Sequence, residues 1–480
     1  MLIRQTLLYL PAQLLSPLVQ FASILIWAQL LTPADLGVVT LVIATQEVCF
    51  VVFFGWLQRY VLRFIRSFNG AEERAAYNRT ESFGLVASTL IQTVIVLPLM
   101  LWQIETSVPP GLLALIAAFM VTRSISNYVA ERARADASIG LYSLIQICGP
   151  VLGFFLSLPF IIGGGAGPTP VFAAFVVAQI LGLLAALRMS DVFHAWGRPD
   201  RAILNVALRY GGVSMIAAML ATFAMNAPRF IVNHVGGLAA MGLFAVGYGL
   251  GMRASAFAVT LVTAGSYPLV VRRMEEEGQD AAFRQLSKNI LLVTIVVAPV
   301  AFGLLGVNSS VVHLLVAEPF RETTLAVLPM ATLGGLFRYL RQHTTDQVFM
   351  VTLRMDVATW ISIIDLGLGI MSVFVAMHFY GLPGAALGPL VSGLATLFTS
   401  FLLANRMFGF RAPIWAMARI LLAALGMMGV LLLVPDAGNM VELILEVGLG
   451  AAVYTILFLL LMPAERMMVR DLVQAKLARR

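Results

Sequence analysis

At 480 residues, 60% hydrophobic and only 11% charged, with a mean hydropathy of +0.92, the chain carries too little polar surface for a soluble globular protein. Apolar stretches of about 20 residues recur from end to end, the length at which an α-helix crosses a hydrocarbon core of roughly 30 Å. The net charge of +7 is spread over short loops and never gathers into one basic patch, which argues against a nucleic-acid partner.

The pattern predicts an all-α polytopic membrane protein with about fourteen transmembrane helices. Taken in order, the spans fall near 8–31, 36–57, 82–103, 111–130, 140–162, 170–188, 208–230, 238–268, 289–307, 323–342, 357–379, 384–405, 414–434 and 441–462. The first has an early arginine but no small-residue cleavage site, so it reads as a retained span and not a signal peptide. Arg209, Arg253 and Arg338 interrupt or border the spans at 208, 238 and 323. Pro11, Pro17 and Pro299 are expected to bend their helices.

Loop charge sets the orientation, because cytoplasmic loops collect Lys and Arg. With both termini cytoplasmic, most of the 31 basic residues fall inside, leaving Arg229 and Arg321 outside and Arg123 and Arg253 within the membrane. The segments read as external, including the stretch around FIVNHVGG, NSSVVHLLVAEPFRE and PDAGN, are too short to fold as domains. Function must therefore lie among the helices. LLTPADLGVVTLVI aligns with GGLAAMGLFAVGY, placing Gly37 on Gly242 at an offset of about six spans, as parallel repeats would.

Several chemistries are absent from the sequence. No GxxxxGK[ST] loop exists, and GGGAG at 163–167 lacks the lysine that phosphate cradling requires. Gly247, Gly249 and Gly251 sit inside an apolar span with no strand before them, where glycines serve close helix packing. Cys49 and Cys148 lie in apolar segments and the five histidines are scattered, so neither a disulfide framework nor a metal site is expected. No enzyme motif appears, and no cofactor is expected.

The informative residues are ionisable groups at membrane depth, each costing about 2.5–3.5 kcal/mol at a helix centre on insertion scales. Glu47, Arg123, Arg253 and Asp365 qualify. For Arg123 and Arg253 one reading is a cationic cavity that binds an anionic head group through guanidinium forks. The other is a salt bridge to Glu47 or Asp365. For those two carboxylates, Na+ or H+ coupling, pairing and packing all remain open. Arg59, Arg63 and Arg66, spaced four and three apart at the end of the second span, share a helical face that suits a phosphate head group, although the positive-inside bias alone predicts them. Gln13, Gln20 and Gln46 serve either a sugar-binding cavity or interhelical hydrogen bonding, and Glu275, Glu276 and Glu277 read as a solvated loop face.

The segment LLTPADLGVVTLVIA resembles the "L-x-P-x-x-[FYL]-G" stretch of bacterial polysaccharide flippases, members of the multidrug/oligosaccharidyl-lipid/polysaccharide exporter superfamily. APRFIVNHVGGLAAMGLFAVGYGL, SYPLVVRRMEEEG and YGLPGAALGPLVSG are similar to further stretches of that family in the same order. The resemblance implies six-helix bundles at 1–205 and 206–407, related by a parallel pseudo-twofold repeat, and two extra helices with a cytoplasmic tail at 408–480. It further implies alternating-access transport of an undecaprenyl-diphosphate oligosaccharide across the inner membrane. Arg123, Arg253, Arg59 and Arg63 would then bind substrate, and Glu47 and Asp365 would couple ions or form salt bridges. Membrane lipid and other polysaccharide assembly proteins would be the partners. The first span has no arginine after Arg4, whereas the related lipid II flippases have basic residues there, which disfavours a lipid II cargo. A cation-coupled multidrug exporter and a membrane polymerase are the competing readings. The short external loops speak against the polymerase.

Overall fold

A computed structural model describes residues 2–68, 70–104, 109–165, 167–190, 193, 195–263 and 266–462, with side chains from Leu15 onward except at 102, 164, 261–263 and 266. The side chains of Arg4, Pro11 and Gln13, the residue His194 and the basic tail from 463 to 480 lie outside that description. All regular structure among the described residues is helical. The helices are α1 (Leu2–Leu30), α2 (Pro33–Phe64), α3 (Ala71–Gln103), α4 (Pro110–Ala135), α5 (Ile139–Ile147), α6 (Gly153–Gly164), α7 (Pro168–Leu187), α8 (Arg201–Thr263) and α9 (Ser266–Glu277). They continue as α10 (Gln279–Gly306), α11 (Asn308–Leu315), α12 (Glu318–His343), α13 (Thr345–Val351), α14 (Met355–Gly384), α15 (Leu387–Phe408), α16 (Ile414–Leu431) and α17 (Met440–Leu461).

Eleven of the described helices are long and apolar enough to cross a membrane. α8 is one of them, although its 63 residues cover both spans expected at 208 and 238. The stretch around FIVNHVGG, read from sequence as an external loop, is helical instead, with a single break at Gly237 (φ 73°, ψ −175°). That backbone conformation is open to glycine and strained for other residues, so one residue does the work expected of a loop.

The chain forms two compact units, Met1–Val246 and Gly247–Arg480. In the first, the LTPAD motif explains the start of α2. Thr32 is an extended N-cap whose hydroxyl accepts from Asp35 N at 3.2 Å, Pro33 occupies the first turn, and Asp35 adds an acidic group there. α1 packs through Trp27, which donates to Ser157 Oγ at 3.0 Å and meets the Phe154 and Phe175 rings. Between α5 and α6 a π-helical stretch, Cys148–Leu152, surrounds Pro150, whose missing N–H interrupts the regular ladder.

In the second unit, glycines set the closest contacts. A Cβ on Gly251 would stand 2.7 Å from Thr332 N, and one on Gly247 3.0 Å from Val327 Cβ, so this part of α8 lies directly on α12. That is the packing role read from the glycine spacing. α16 and α17 close over α10 through a cluster containing Ala298, Ile420, Ala424, Met427 and Leu431, and the Tyr454 hydroxyl donates to Ile295 O at 2.9 Å. α9, α11 and α13 are short helices inside segments read from sequence as span ends or loops. α9 carries the i,i+4 pairs Arg272–Glu276 and Arg273–Glu277, which hold its charged face in solvent.

Candidate functional site

The first unit gathers polar groups around the middle of α2. Glu47 is 47% exposed there, and Asn226 of α8 donates to its Oε2 at 3.3 Å. One helical turn on, Arg229 Nη1 donates to Asn226 Oδ1 at 2.7 Å and stands 3.9 Å from Glu47 Oε2. Asn226, nearly inaccessible at 2%, therefore ties the acid to the base with both ends of its amide. This corrects the placement of Arg229 in an external loop: it lies in a helix, level with the centre of α2. The break at Gly237 falls seven positions beyond residue 230, so hydropathy alone ended the span too early.

Arg123 of α4 approaches the same carboxylate. Its neighbour Ser124 accepts from Gln46 Nε2 at 3.4 Å and donates to Gln92 Oε1 at 2.8 Å, which seats α4 against α2 and α3. Arg123 itself is half-buried, and Glu47 is the charge that acts on it, without a contact ion pair among the described residues. Its guanidinium rests on the π-helical stretch: a Cβ on Gly149 would come within 3.0 Å of Arg123 Nη1. Nearby, the Thr122 hydroxyl donates to the Gln179 side-chain carbonyl, leaving the buried Gln179 amide nitrogen without a protein acceptor. Among the described residues, Gln46, Arg123, Arg229, Asn226 and Glu47 thus form a polar cluster around mid-α2. Gln20 binds Ser16 along α1 instead.

The other residues singled out from sequence lie elsewhere. Arg253 is half-buried in the second unit, on the stretch of α8 that packs against α12. Arg59 and Arg63 are exposed at the end of α2, but the helix stops at Phe64, so Arg66 occupies the following turn and does not extend their face.

Asp365 is bound from two sides. Arg338 Nη2 donates to Oδ1 at 2.7 Å and Arg341 Nη1 stands 3.2 Å from Oδ2, with all three side chains 1% exposed. Arg338 also donates to Ser392 Oγ, and Arg341 reaches Asp346 Oδ2 at 3.4 Å. Asp346, on α13 beyond the span, is pushed up to about 6 by burial, against the downward pull of Arg341 and the Ser400 hydrogen bond. Two bases and two acids make this network neutral. Asp365 is thus paired with two arginines of α12, and neither Arg123 nor Arg253 is its contact partner.

A second buried ion pair, missed from sequence, joins Arg132 Nε to Glu81 Oε1 at 2.7 Å, with the Tyr128 hydroxyl donating to the same oxygen at 2.6 Å. Its signal was available: Tyr128 and Arg132 are four apart on one face of α4. Among the described residues no group of three or more His, Cys, Asp or Glu side chains is placed to hold a metal ion.

Residues 26–325 match the family model described as "Polysaccharide biosynthesis protein". No curated protein matches the chain significantly by sequence. Among solved structures, the fold is similar to a lipid II flippase, MurJ, in an inward closed conformation, with a TM-score of 0.72 at 14% identity over 97% of this chain and 100% of that one. It is similar also to an inward-facing multidrug resistance MATE transporter, with a TM-score of 0.65 at 15% identity over 84% of this chain and 98% of that chain. A Vibrio cholerae MATE transporter aligns with a TM-score of 0.57 at 18% identity over 85% of this chain and 98% of that one. At these identities the likeness is one of fold: the helical architecture is similar to that of MATE transporters and MurJ.

Proposed function

The chain belongs to the polysaccharide biosynthesis protein family, and from that premise we propose that it flips a lipid-linked oligosaccharide of the undecaprenyl-diphosphate type across the inner membrane by alternating access. The observation that carries the cargo class is the Arg123 guanidinium at mid-membrane depth, without a contact ion pair among the described residues, where a phosphate group would supply the opposing charge. Arg253 provides a further cation on α8, and Arg59 and Arg63 offer exposed charge to a head group arriving at the end of α2. The protein would span the membrane about fourteen times with both termini cytoplasmic.

The experiment is a proteoliposome assay with a fluorescent undecaprenyl-diphosphate glycan, read by accessibility to a membrane-impermeant quencher. Wild-type protein should expose the glycan on the opposite leaflet, and the Arg123→Ala, Arg253→Ala double variant should not. Normal flipping by that double variant would remove the cationic-site reading. Lysine replacements separate charge from fork geometry, since Lys keeps the charge and loses bidentate recognition.

The exposed carboxylate of Glu47 favours a second reading, a cation-coupled multidrug exporter. Resistance of a drug-sensitive host to cationic dyes, conferred by wild-type protein and abolished by Glu47→Gln, would select it over the flippase.

A further inference from the structure

The turn between α16 and α17 borders an open cavity of about 380 Å³, within the size range of small-molecule sites. Its charged lining is wholly acidic: Asp436, Glu442 and Glu446. Two of the three have structural roles. Asp436 Oδ2 accepts from Ser309 Oγ at 2.6 Å and Ala437 N donates to Ser310 Oγ at 3.0 Å, so the turn is fastened to α11. Glu442 accepts from Gly438 N and Asn439 Nδ2, both at 2.7 Å, and sits in the first turn of α17, where an acid suits the helix dipole. Glu446 has no such role. It lies on the packed stripe of α17 with Leu443, Gly450 and Tyr454, where an apolar residue would serve. It is 5% exposed, and its Oε2 is buried without a hydrogen-bond partner among the described residues. A carboxylate that enclosed keeps its charge only beside a cation or a donor, so it calls for a ligand.

The kind of ligand follows from the spread of the acids. Since no three such side chains among the described residues are placed to hold a metal ion, these carboxylates surround a volume and not a point, which suits an organic cation. The wall is also partly apolar. Glu442, Leu445, Glu446 and Leu449 follow the i, i+3, i+4, i+7 spacing of one helix face, and Leu445 and Leu449 are 66% and 41% exposed. Glu446 lies six residues beyond the start of α17, about 9 Å along the helix axis. That is near the boundary between lipid head groups and hydrocarbon.

We propose that this cavity binds a primary ammonium group, accepted by Glu446 and ringed by Asp436 and Glu442, and that the group is the ethanolamine head of a phospholipid whose chains lie along Leu445 and Leu449. The N–H donors of the ammonium supply the partner that Glu446 Oε2 lacks. The lipid phosphate stays outside, since no lysine or arginine lines the cavity to receive it. The site does not depend on the cargo, because its charge is opposite to what a diphosphate needs.

The test is native mass spectrometry of the full-length protein, delipidated in detergent and titrated with phosphatidylethanolamine, phosphatidylcholine or phosphatidylglycerol of identical chains. Wild type should bind phosphatidylethanolamine about tenfold more tightly than the other two, the scale of one charge-assisted hydrogen bond. Choline has no N–H to donate, and the glycerol head brings no cation. Glu446→Gln, which keeps the shape and removes the charge, should bring the three lipids level. Phosphatidylethanolamine should raise the thermal midpoint of wild type and leave that of Glu446→Gln where it was. Putrescine, titrated separately, distinguishes the source of the ammonium. If it binds wild type but not Glu446→Gln while the three lipids are not distinguished, the lipid head group is overturned as the occupant and the ammonium site stands. If wild type neither prefers phosphatidylethanolamine nor binds putrescine, or if folded Glu446→Gln keeps the wild-type preference, the site itself is overturned.

Discussion

Gly37 of α2 and Gly242 of α8 meet backbone to backbone. A Cβ on Gly242 would stand 1.8 Å from the Pro33 carbonyl oxygen and 2.9 Å from Gly37 N, while one on Gly37 would stand 2.0 Å from Leu238 O. These are the same two glycines that the repeat register pairs.

The obstacle at Gly242 is backbone, which cannot rotate aside as a side chain can. Gly242→Ala should therefore cost about 1–3 kcal/mol of overpacking in the conformation described here and bias the protein away from it. Transport should fall severely while membrane-inserted protein remains detectable by immunoblot. Unimpaired transport by Gly242→Ala or Gly242→Val would show that the cycle never needs this contact.

The Arg338–Asp365–Arg341 network should behave as structure. Asp365→Asn removes the carboxylate that two buried guanidinium groups share, leaving Arg338 without a carboxylate partner among the described residues, and should destabilise the protein by about 3–5 kcal/mol, the range for breaking one side of a buried pair. Thermal unfolding in detergent reads the loss. Arg338→Met combined with Asp365→Leu should recover part of it, and Na+ should not alter the wild-type midpoint through this site. A stable, inactive Asp365→Asn protein would point to ion coupling instead.

Asp346 gives a pH signature. Its folded value of about 6 lies above its ordinary 3.8, so between those values the folded chain holds a proton that the unfolded chain has released. Stability from this group is thus greatest at low pH and declines as pH rises through the window from about 4 to about 6. The melting-temperature difference between wild type and Asp346→Asn should shift against wild type across that window and flatten above it. A constant difference would count against the raised Asp346 carboxyl.

The topology is tested by reporter fusions after Arg480 and within the PDAGN turn between α16 and α17. Opposite sides are expected, with the C-terminal fusion cytoplasmic. Both reporters on one side would overturn the assignment.

Most helices were legible because membrane spans are long, apolar and uninterrupted, and their ends carry local signals such as Thr32, Pro33 and Asp35. The site was legible only in part. Glu47, Arg123 and Asp365 stand out because a charge in an apolar run is anomalous in one dimension. Their partners do not: Arg229 lies 182 positions from Glu47, and hydropathy places it at a span end. Arg338 and Arg341, at the end of the span expected at 323–342, resemble ordinary span-end arginines until α12 is seen to pass beside Asp365. The short helices α9, α11 and α13 were missed because two or three turns carry too little periodicity to register against neighbouring spans.

The π-helical stretch Cys148–Leu152 also fixes rotational phase. An α-helix advances about 100° per residue, so one residue accommodated in a widened turn offsets everything after it by that angle relative to a regular helix. α6 therefore presents Phe154 and Ser157 to Trp27, a meeting that an unbroken helix from Ile139 would turn away from α1. The same widened turn exposes Gly149 to the Arg123 guanidinium. One local irregularity thus aligns the α1 contact and the arginine seat at once, and neither can be rephased without the other.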